Sequence, residues 1–165
     1  MARTRGVVFV HSAPRALAPH VEWALGAALG SPVHLDWADQ PVSPGHVRAE
    51  VCWTGRPGTG ARIASALRTW ERLRVEVTEE PSDGHEGERF SLTPSLGIHR
   101  AVIGLNGDVQ VCEERLRGAL ERAGNALGPL REELRLLLGA PWDAELEPFR
   151  CAADGSPVRW LHQTG

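Results

Sequence analysis

The feature that most constrains the fold of this sequence is the uninterrupted apolar run Gly6-Val-Val-Phe-Val-His11 near its start. Apolar runs without polar alternation are typical of strands that are buried on both faces. Ser12-Ala13-Pro14 follows the run and ends it. We therefore expect residues 6–11 to form an interior strand, with other strands of one sheet on both sides.

The elements after this run predict the fold class. Helical periodicity is seen in residues 17–29 and 63–70. Strand-like alternation of apolar and polar residues is seen in residues 33–37, 47–53 and 73–77. The order from residue 6 to residue 80 is that of a ferredoxin-like βαββαβ core in an α+β fold. We expect both helices on one face of the sheet, with the first helix either kinked at Pro19 or starting there.

The next stretch of the chain is polar. Residues 81–97 contain several Pro, Ser and Gly residues, which predicts a loop with at most one short edge strand near Phe90 and Leu92. Asn106-Gly107 then separates two apolar stretches. Because Asn-Gly supplies the positive φ angles of a type I′ turn, residues 98–111 are expected to form a β-hairpin.

Leucine spacing dominates the last third of the chain. Apolar residues, all leucine except Ala123, recur at spacings of four and three from Leu116 to Leu137, which predicts an amphipathic helix. Gly128-Pro129 kinks this helix or divides it in two, and a coiled coil is a weaker alternative. Asp154-Gly155 predicts a C-terminal hairpin over residues 147–162. We expect one domain, residues 1–165, made of the core (6–80), the polar loop (81–97) and a hairpin, a kinked helix and a tail (98–165).

Composition excludes several chemistries. All 18 basic residues are Arg and Tyr is absent, so mechanisms that need a Schiff-base lysine, a phosphate-loop lysine or a tyrosine acid are excluded. A net charge of −3 argues against nucleic-acid binding. No apolar stretch is long enough for a membrane span or a signal peptide. The cysteines Cys52, Cys112 and Cys151 are widely spaced, which favours reduced thiols in the cytoplasm, and we expect no cofactor.

The strongest candidate for ligand binding is the glycine-rich stretch that opens the second helix. Free backbone amides at a helix N-terminus attract anions, and flanking arginines add positive charge. Ala61 stands where a phosphate-binding loop has Lys, so an ordinary strand-to-helix turn is the alternative. The residues expected to hold an acidic ligand are Arg56, Gly58, Thr59, Gly60 and Arg62.

Catalytic candidates are weaker. His11 and Ser12 end the first strand, and His20 and Glu22 lie in the first helix. A histidine beside a hydroxyl or a carboxylate can act as a general base. His20 and Glu22 are only two residues apart, however, so they do not share a helix face. The alternative function is a small hydrolase or transferase that uses His11 with Ser12 or Glu22.

Metal ligation and aromatic anchoring are also considered. His34 and Asp36 share a strand face, but a metal site needs three or four ligands, so we expect no metal. Six tryptophans are many for this length. Trp37, Trp53 and Trp70 fall on expected core faces, whereas the later ones are the expected exposed anchors for a partner, namely Trp142 and Trp160.

Several blocks resemble a known family. They are Gly6-Val-Val-Phe-Val-His-Ser-Ala-Pro-Arg-Ala-Leu17, Pro19-His-Val-Glu-Trp23, Leu35-Asp-Trp37, Val75-Glu-Val-Thr-Glu-Glu-Pro81 and Thr93-Pro-Ser-Leu-Gly-Ile98. The chain resembles, over nearly its whole length, the uncharacterised actinobacterial domain-of-unknown-function family thirty-one forty-five. The resemblance implies no activity or catalytic residue. It implies a link to fatty-acid synthesis and, with it, an acyl carrier or synthase component as partner.

The residues offer one feature that suits such a partner. Arg62, Arg68, Arg72 and Arg74 follow the second helix and its exit, where they can pair with an acidic helix. Glu71 and Glu76 can also neutralise them. Because no catalytic constellation is complete, we expect a cytoplasmic, non-catalytic binding or regulatory domain for an acidic ligand or protein partner.

Overall fold

A computed structural model describes residues 3–152, which form one antiparallel sheet covered by helices. The strands are β1 (Thr4–Pro14), β2 (Ala38–Asp39), β3 (His46–Gly55), β4 (Arg74–Glu79), β5 (Gly87–Thr93), β6 (Gly97–Ile103) and β7 (Val109–Gln110). Their order in the sheet is β2-β3-β1-β4-β5-β6-β7. β1 pairs with both β3 and β4, which confirms the predicted interior strand.

Helices lie on both faces of the sheet. They are α1 (Ala18–Leu29), α2 (Thr59–Leu67), α3 (Glu113–Ala123), α4 (Leu127–Leu137) and α5 (Ala140–Cys151). α1 follows a short 3-10 turn and carries Pro19 in its first turn, so the helix starts at the proline and is not kinked by it. Among these helices of residues 3–152, none is long and apolar enough to cross a membrane.

The main core lies between the sheet and the packed pair α1 and α2. Successive side chains of a strand point to opposite faces. Val75 and Val77 of β4 belong to this core, whereas the carboxylate of Glu76 contacts Arg150 of α5. α5 therefore covers the opposite face of the sheet, and the chain is an α+β protein as expected.

The predicted strand over residues 33–37 is wrong. Only Ala38 and Asp39 pair with β3. The amide of Leu35 and the indole Nε1 of Trp37 donate to the carboxylate of Glu22 in α1, at 2.9 and 3.0 Å. This carboxylate binds residues 33–37 to α1. The alternating pattern of the segment therefore does not place it in the sheet.

The predicted polar loop over residues 81–97 is wrong in its second half, where the short edge strand predicted near Phe90 and Leu92 is a longer interior strand. β5 spans seven residues and lies inside the sheet, between β4 and β6. Phe90 and Leu92 are both buried in the main core. Arg89 and Ser91 alternate with these two residues along the strand, so its polar composition conceals a regular alternation.

The hairpin near Asn106-Gly107 is confirmed, but its turn type is not. Gly107 has φ +85°, whereas no residue other than glycine has a positive φ within residues 3–152. A type I′ turn needs positive φ at both central residues, so Asn106 does not take part in one. The turn closes instead with the amide of Gly107 donating to the carbonyl of Gly104, at 2.9 Å.

The leucine-rich segment forms two helices, as one of the two predicted outcomes. The break falls at Gly124–Ala126, upstream of Gly128-Pro129, because Gly124 adopts φ +58° and ends α3. Pro129 lies in the first turn of α4, where it costs no helical hydrogen bond. The hairpin predicted over residues 147–162 is wrong at its start, since α5 continues to Cys151. The remainder of that prediction lies outside the described residues.

Candidate functional site

The predicted anion site at the start of α2 already holds a carboxylate of this chain. The amides of Gly58 and Gly60 donate to the two oxygens of Glu79, at 2.7 and 2.6 Å. Glu79 ends β4 and is only 3% exposed. A Cβ at position 60 would lie 3.0 Å from the Glu79 side chain. Glycine at this position therefore lets the helix approach the carboxylate closely.

The other residues of this predicted site lie around the same helix start. Thr59 is buried and its hydroxyl accepts from Nη2 of Arg62, at 3.0 Å. Arg56 and Arg62 are exposed. The structure thus brings the five predicted residues together, but the backbone amides of two of them already donate to Glu79 of the same chain. Binding of an outside acid at the two arginines stays a prediction.

The sequence contained a signal for Glu79. Val75 and Val77 mark the core-facing positions of β4, and Glu79 continues that alternation. Charged side chains are seldom buried without a partner. A carboxylate at a core-facing position therefore indicates a buried polar partner, which here is the start of α2.

The four catalytic candidates are not assembled into one site. His11 and Ser12 lie at an irregularity near the end of β1. Nε2 of His11 contacts Oε2 of Glu76 at 2.6 Å, and the hydroxyl of Ser12 is fully buried with no hydrogen-bond partner in the described part of the chain. His20 instead packs against two tryptophans, and Glu22 binds the segment after α1.

His11 belongs to a buried ion cluster that the sequence did not reveal. We define this buried ion cluster as His11, Glu76 and Arg150, which are 8%, 5% and 4% exposed. Nε of Arg150 donates to Oε2 of Glu76 at 2.9 Å, and its Nη2 donates to the other oxygen of that carboxylate. Nη2 of Arg150 also donates to Asp143, at 2.9 Å. The cluster joins β1, β4 and α5.

Gln40 closes the cluster on the side of β1. Its amide nitrogen donates to the backbone carbonyl of His11 at 2.7 Å, and the residue is buried. The phenyl ring of Phe9 stacks on the ring of His11, with centroids 5.8 Å apart. Glu76 at Nε2 and the stacked ring of Phe9 therefore position the imidazole, which suits a structural role in holding α5 on the sheet.

The electrostatics of Glu76 follow from these contacts. Burial alone would raise the pKa of this carboxyl, but hydrogen bonds and charges from His11 and Arg150 outweigh burial and lower the pKa to about 2. Glu76 is therefore ionised at neutral pH. A buried ionised carboxylate with two cationic or hydrogen-bonding partners stabilises the position of those partners.

Acid is expected to remove this stabilisation. A carboxyl whose pKa is lower in the folded than in the unfolded chain stabilises the fold above the unfolded value, and the effect is lost as pH falls from about 4.5 through about 2. Its size is about 3 kcal/mol for this shift. Urea unfolding of the parent and of Glu76→Gln at several pH values measures it: the difference between the two should shrink toward pH 2. A difference independent of pH would contradict this prediction.

His34 and Asp36 do not start a metal site. The imidazole of His34 is largely exposed and lies 3.8 Å from the carboxylate of Glu22. Within residues 3–152, no group of three or more His, Cys, Asp or Glu is arranged to hold a metal ion. His34 is therefore a surface residue near the α1 carboxylate.

The tryptophan that is most exposed among the described residues is not one of the two that were predicted as anchors. Trp142 is half-buried, donates its indole N–H to the carbonyl of Gly97 at 3.1 Å and packs on His99. Trp160 lies outside the described residues. Trp23, in α1, is 69% exposed instead, which makes it the more suitable aromatic residue for contact with a partner.

Three of the four arginines predicted to face a partner remain at the surface. Arg62, Arg68 and Arg72 are exposed, and none of them forms an ion pair with a residue in the range 3–152. Arg74 points to the opposite face, where it pairs with Glu145 at 3.3 Å and lies over the ring of Phe149. Including Arg74 in the set was therefore wrong.

His20 of α1 lies near Trp70, which stands between Arg68 and Arg72 in the sequence. The ring of His20 lies 5.1 Å from Trp23 and 6.4 Å from Trp70, which follows α2. We call this combined area of α1 and α2 the basic surface, defined by Arg62, Arg68, Arg72, His20, Trp23 and Trp70.

The fold and these contacts define an α+β domain in which two buried carboxylates serve the structure and one helical layer is basic. The family model described as "Protein of unknown function (DUF3145)" matches residues 7–163. The protein belongs to this family, as its sequence blocks implied. No curated protein and no solved structure matches the chain.

Proposed function

We propose that this protein is a cytoplasmic, non-catalytic domain that binds an acidic protein partner through the basic surface. The observation that supports this most is the set of exposed arginines without ion pairs, Arg62, Arg68 and Arg72, beside the exposed Trp23. Arginine and tryptophan are the residues that most often dominate protein interfaces. Their position on one helical layer suits an acidic helix of a partner.

Charge distribution adds to this argument. The whole chain carries a net charge of −3, so its overall charge does not favour acidic partners. Local positive charge on one face instead sets the orientation of a partner and accelerates its association. An acyl carrier protein or synthase component, which the family resemblance implies, is the partner that we propose.

The alternative function, a hydrolase or transferase, has less support. Nε2 of His11 is engaged by Glu76, and the buried hydroxyl of Ser12 is not hydrogen-bonded to the imidazole. A nucleophile needs its base within hydrogen-bond reach and needs access to substrate. No contact in the described part of the chain favours this alternative over binding.

The proposal is tested by replacing Arg68 and Arg72 with glutamine. Calorimetry with a purified acyl carrier protein should show binding to the parent that weakens by about tenfold or more in the double variant. Binding should also weaken with added salt, because exposed charges are screened over about 10 Å at 0.1 M. Stability should hardly change, since both side chains are exposed.

One control variant and one further arginine variant show which part of the protein contacts the partner. Arg117→Gln/Arg135→Gln removes two exposed arginines that already pair with glutamates on α3 and α4, and binding should be unchanged. Arg56→Gln/Arg62→Gln changes Arg62 of the basic surface together with Arg56, and weaker binding would show that the contact includes the start of α2. Equal binding by the parent and by Arg68→Gln/Arg72→Gln, or no binding by the parent, would refute the proposed partner surface.

A further inference from the structure

Large apolar side chains are exposed on α3 and α4. Ten such residues are exposed within residues 3–152, and six of them lie between residues 116 and 138. We call five of these the leucine surface, namely Leu116, Leu120, Leu127, Leu134 and Leu138. Exposed apolar clusters of this kind mark interaction sites on soluble proteins.

α3 and α4 bury few side chains and leave most of their leucines exposed. α3 buries only Ala119 and Ala123, and α4 buries only Leu137. Each helix has 11 residues, and helices this short depend on tertiary packing of their apolar side. Here the small residues face inward while most leucines face water, so a further apolar surface is required to cover them.

The leucines form stripes along each helix. Leu116 and Leu120 are four residues apart on α3, and Leu127, Leu134 and Leu138 follow at intervals of seven and four on and just after α4. Residues at these intervals share one side of a helix. Stripes of this kind pack against stripes of other helices, as in helical bundles.

Charge indicates what covers the leucine surface. Residues 113–137 contain five Glu and five Arg, so the two helices carry no net charge. Several of these charges are already paired, in Glu113–Arg117, Arg122–Glu133 and Glu132–Arg135. A strongly acidic or basic partner therefore gains nothing here from electrostatics, whereas two identical neutral surfaces do not repel each other.

We propose that the leucine surface binds a second copy of this chain. A twofold dimer places the same patch of both copies in contact, so the apolar stripes of one protomer cover those of the other. Neutral, apolar contact areas are typical of homodimers. The basic surface lies on α1, α2 and the residues that follow α2, and it shares no residue with the leucine surface.

The test measures molar mass of the full chain by light scattering after gel filtration, over a range of concentrations. The parent should give twice the 17.9 kDa of one chain at the higher concentrations. Leu127→Glu/Leu138→Glu should remain at one chain's mass, with dimerisation weaker by about tenfold or more per substitution. Circular dichroism at low concentration shows whether the variant is folded, and Leu127→Ala/Leu138→Ala provides a milder version.

Three further results decide the proposal. Leu105→Glu replaces a leucine on the β6–β7 turn that is exposed but outside the leucine surface, and it should dimerise like the parent. A parent that stays monomeric at all concentrations would overturn the proposal, as would a dimer that Leu127→Glu/Leu138→Glu leaves intact. A chain ending at residue 152 that dimerises when the full chain does not would also overturn it, because the leucine surface would then be covered within one copy.

Discussion

Replacing Glu76 with glutamine is expected to lower the free energy of unfolding by about 3 to 5 kcal/mol. The substitution keeps the size of the side chain but removes the charge that Arg150 and His11 contact in the interior. Arg150 is then a buried cation without its main counterion, and removing one member of a buried pair costs more than the pair contributes. Urea unfolding followed by circular dichroism measures the change.

Two controls separate the buried charge from general effects of substitution. Glu113→Gln removes one partner of an exposed ion pair on α3, and such pairs contribute little. Glu76→Leu/Arg150→Met replaces both buried charges by apolar side chains and should be more stable than Glu76→Gln alone. A loss below about 1 kcal/mol in Glu76→Gln would mean that the cluster does not hold α5 on the sheet.

The elements of residues 6–80 were largely predictable because their signals are local. The apolar run of β1 and the helical stripe of α2 are each visible within about ten residues. β5 was predicted only as a short edge strand, because its full length and interior position depend on pairing with β4 and β6 and not on composition. Residues 33–37 have the alternation of a strand, yet the amide of Leu35 donates to the carboxylate of Glu22 and not to a neighbouring strand.

The buried ion cluster was unpredictable for a related reason. His11 and Glu76 are 65 residues apart in the sequence, and Glu76 and Arg150 are 74 apart. Arg150 also lies in a segment whose sequence favoured a hairpin. No local pattern connects these three residues, so the role of His11 was sought in its neighbours Ser12 and Glu22. The exposure of Arg62, Arg68 and Arg72, in α2 and just after it, is what the charge of a guanidinium predicts.

The two buried carboxylates of β4 act at opposite faces of one strand. Glu79 faces the helix pair and binds the start of α2, whereas Glu76 faces α5. Because Glu76 and Glu79 are an odd number of positions apart, they fix one helix on each side of the sheet. Both carboxylates are thus satisfied by groups of the chain itself.

Glu79→Gln is expected to lower the free energy of unfolding by about 2 to 4 kcal/mol, since each hydrogen bond to a charged group contributes about 1.5 to 3 kcal/mol. The parent carboxylate accepts from both Gly58 and Gly60. A glutamine amide has one accepting oxygen, and its NH₂ group would face the second backbone N–H. Urea unfolding measures the loss, and hydrogen exchange measured by NMR should show faster exchange of the Gly58 and Gly60 amides than in the parent.

Glu80→Gln is the matched control, because Glu80 is the next residue and its carboxylate pairs with the exposed Arg5. This change should leave the exchange of both amides unaltered. If Glu79→Gln and Glu80→Gln have equal effects on stability and on amide exchange, the carboxylate of Glu79 does not cap α2, and the helix start is then open to an outside anion.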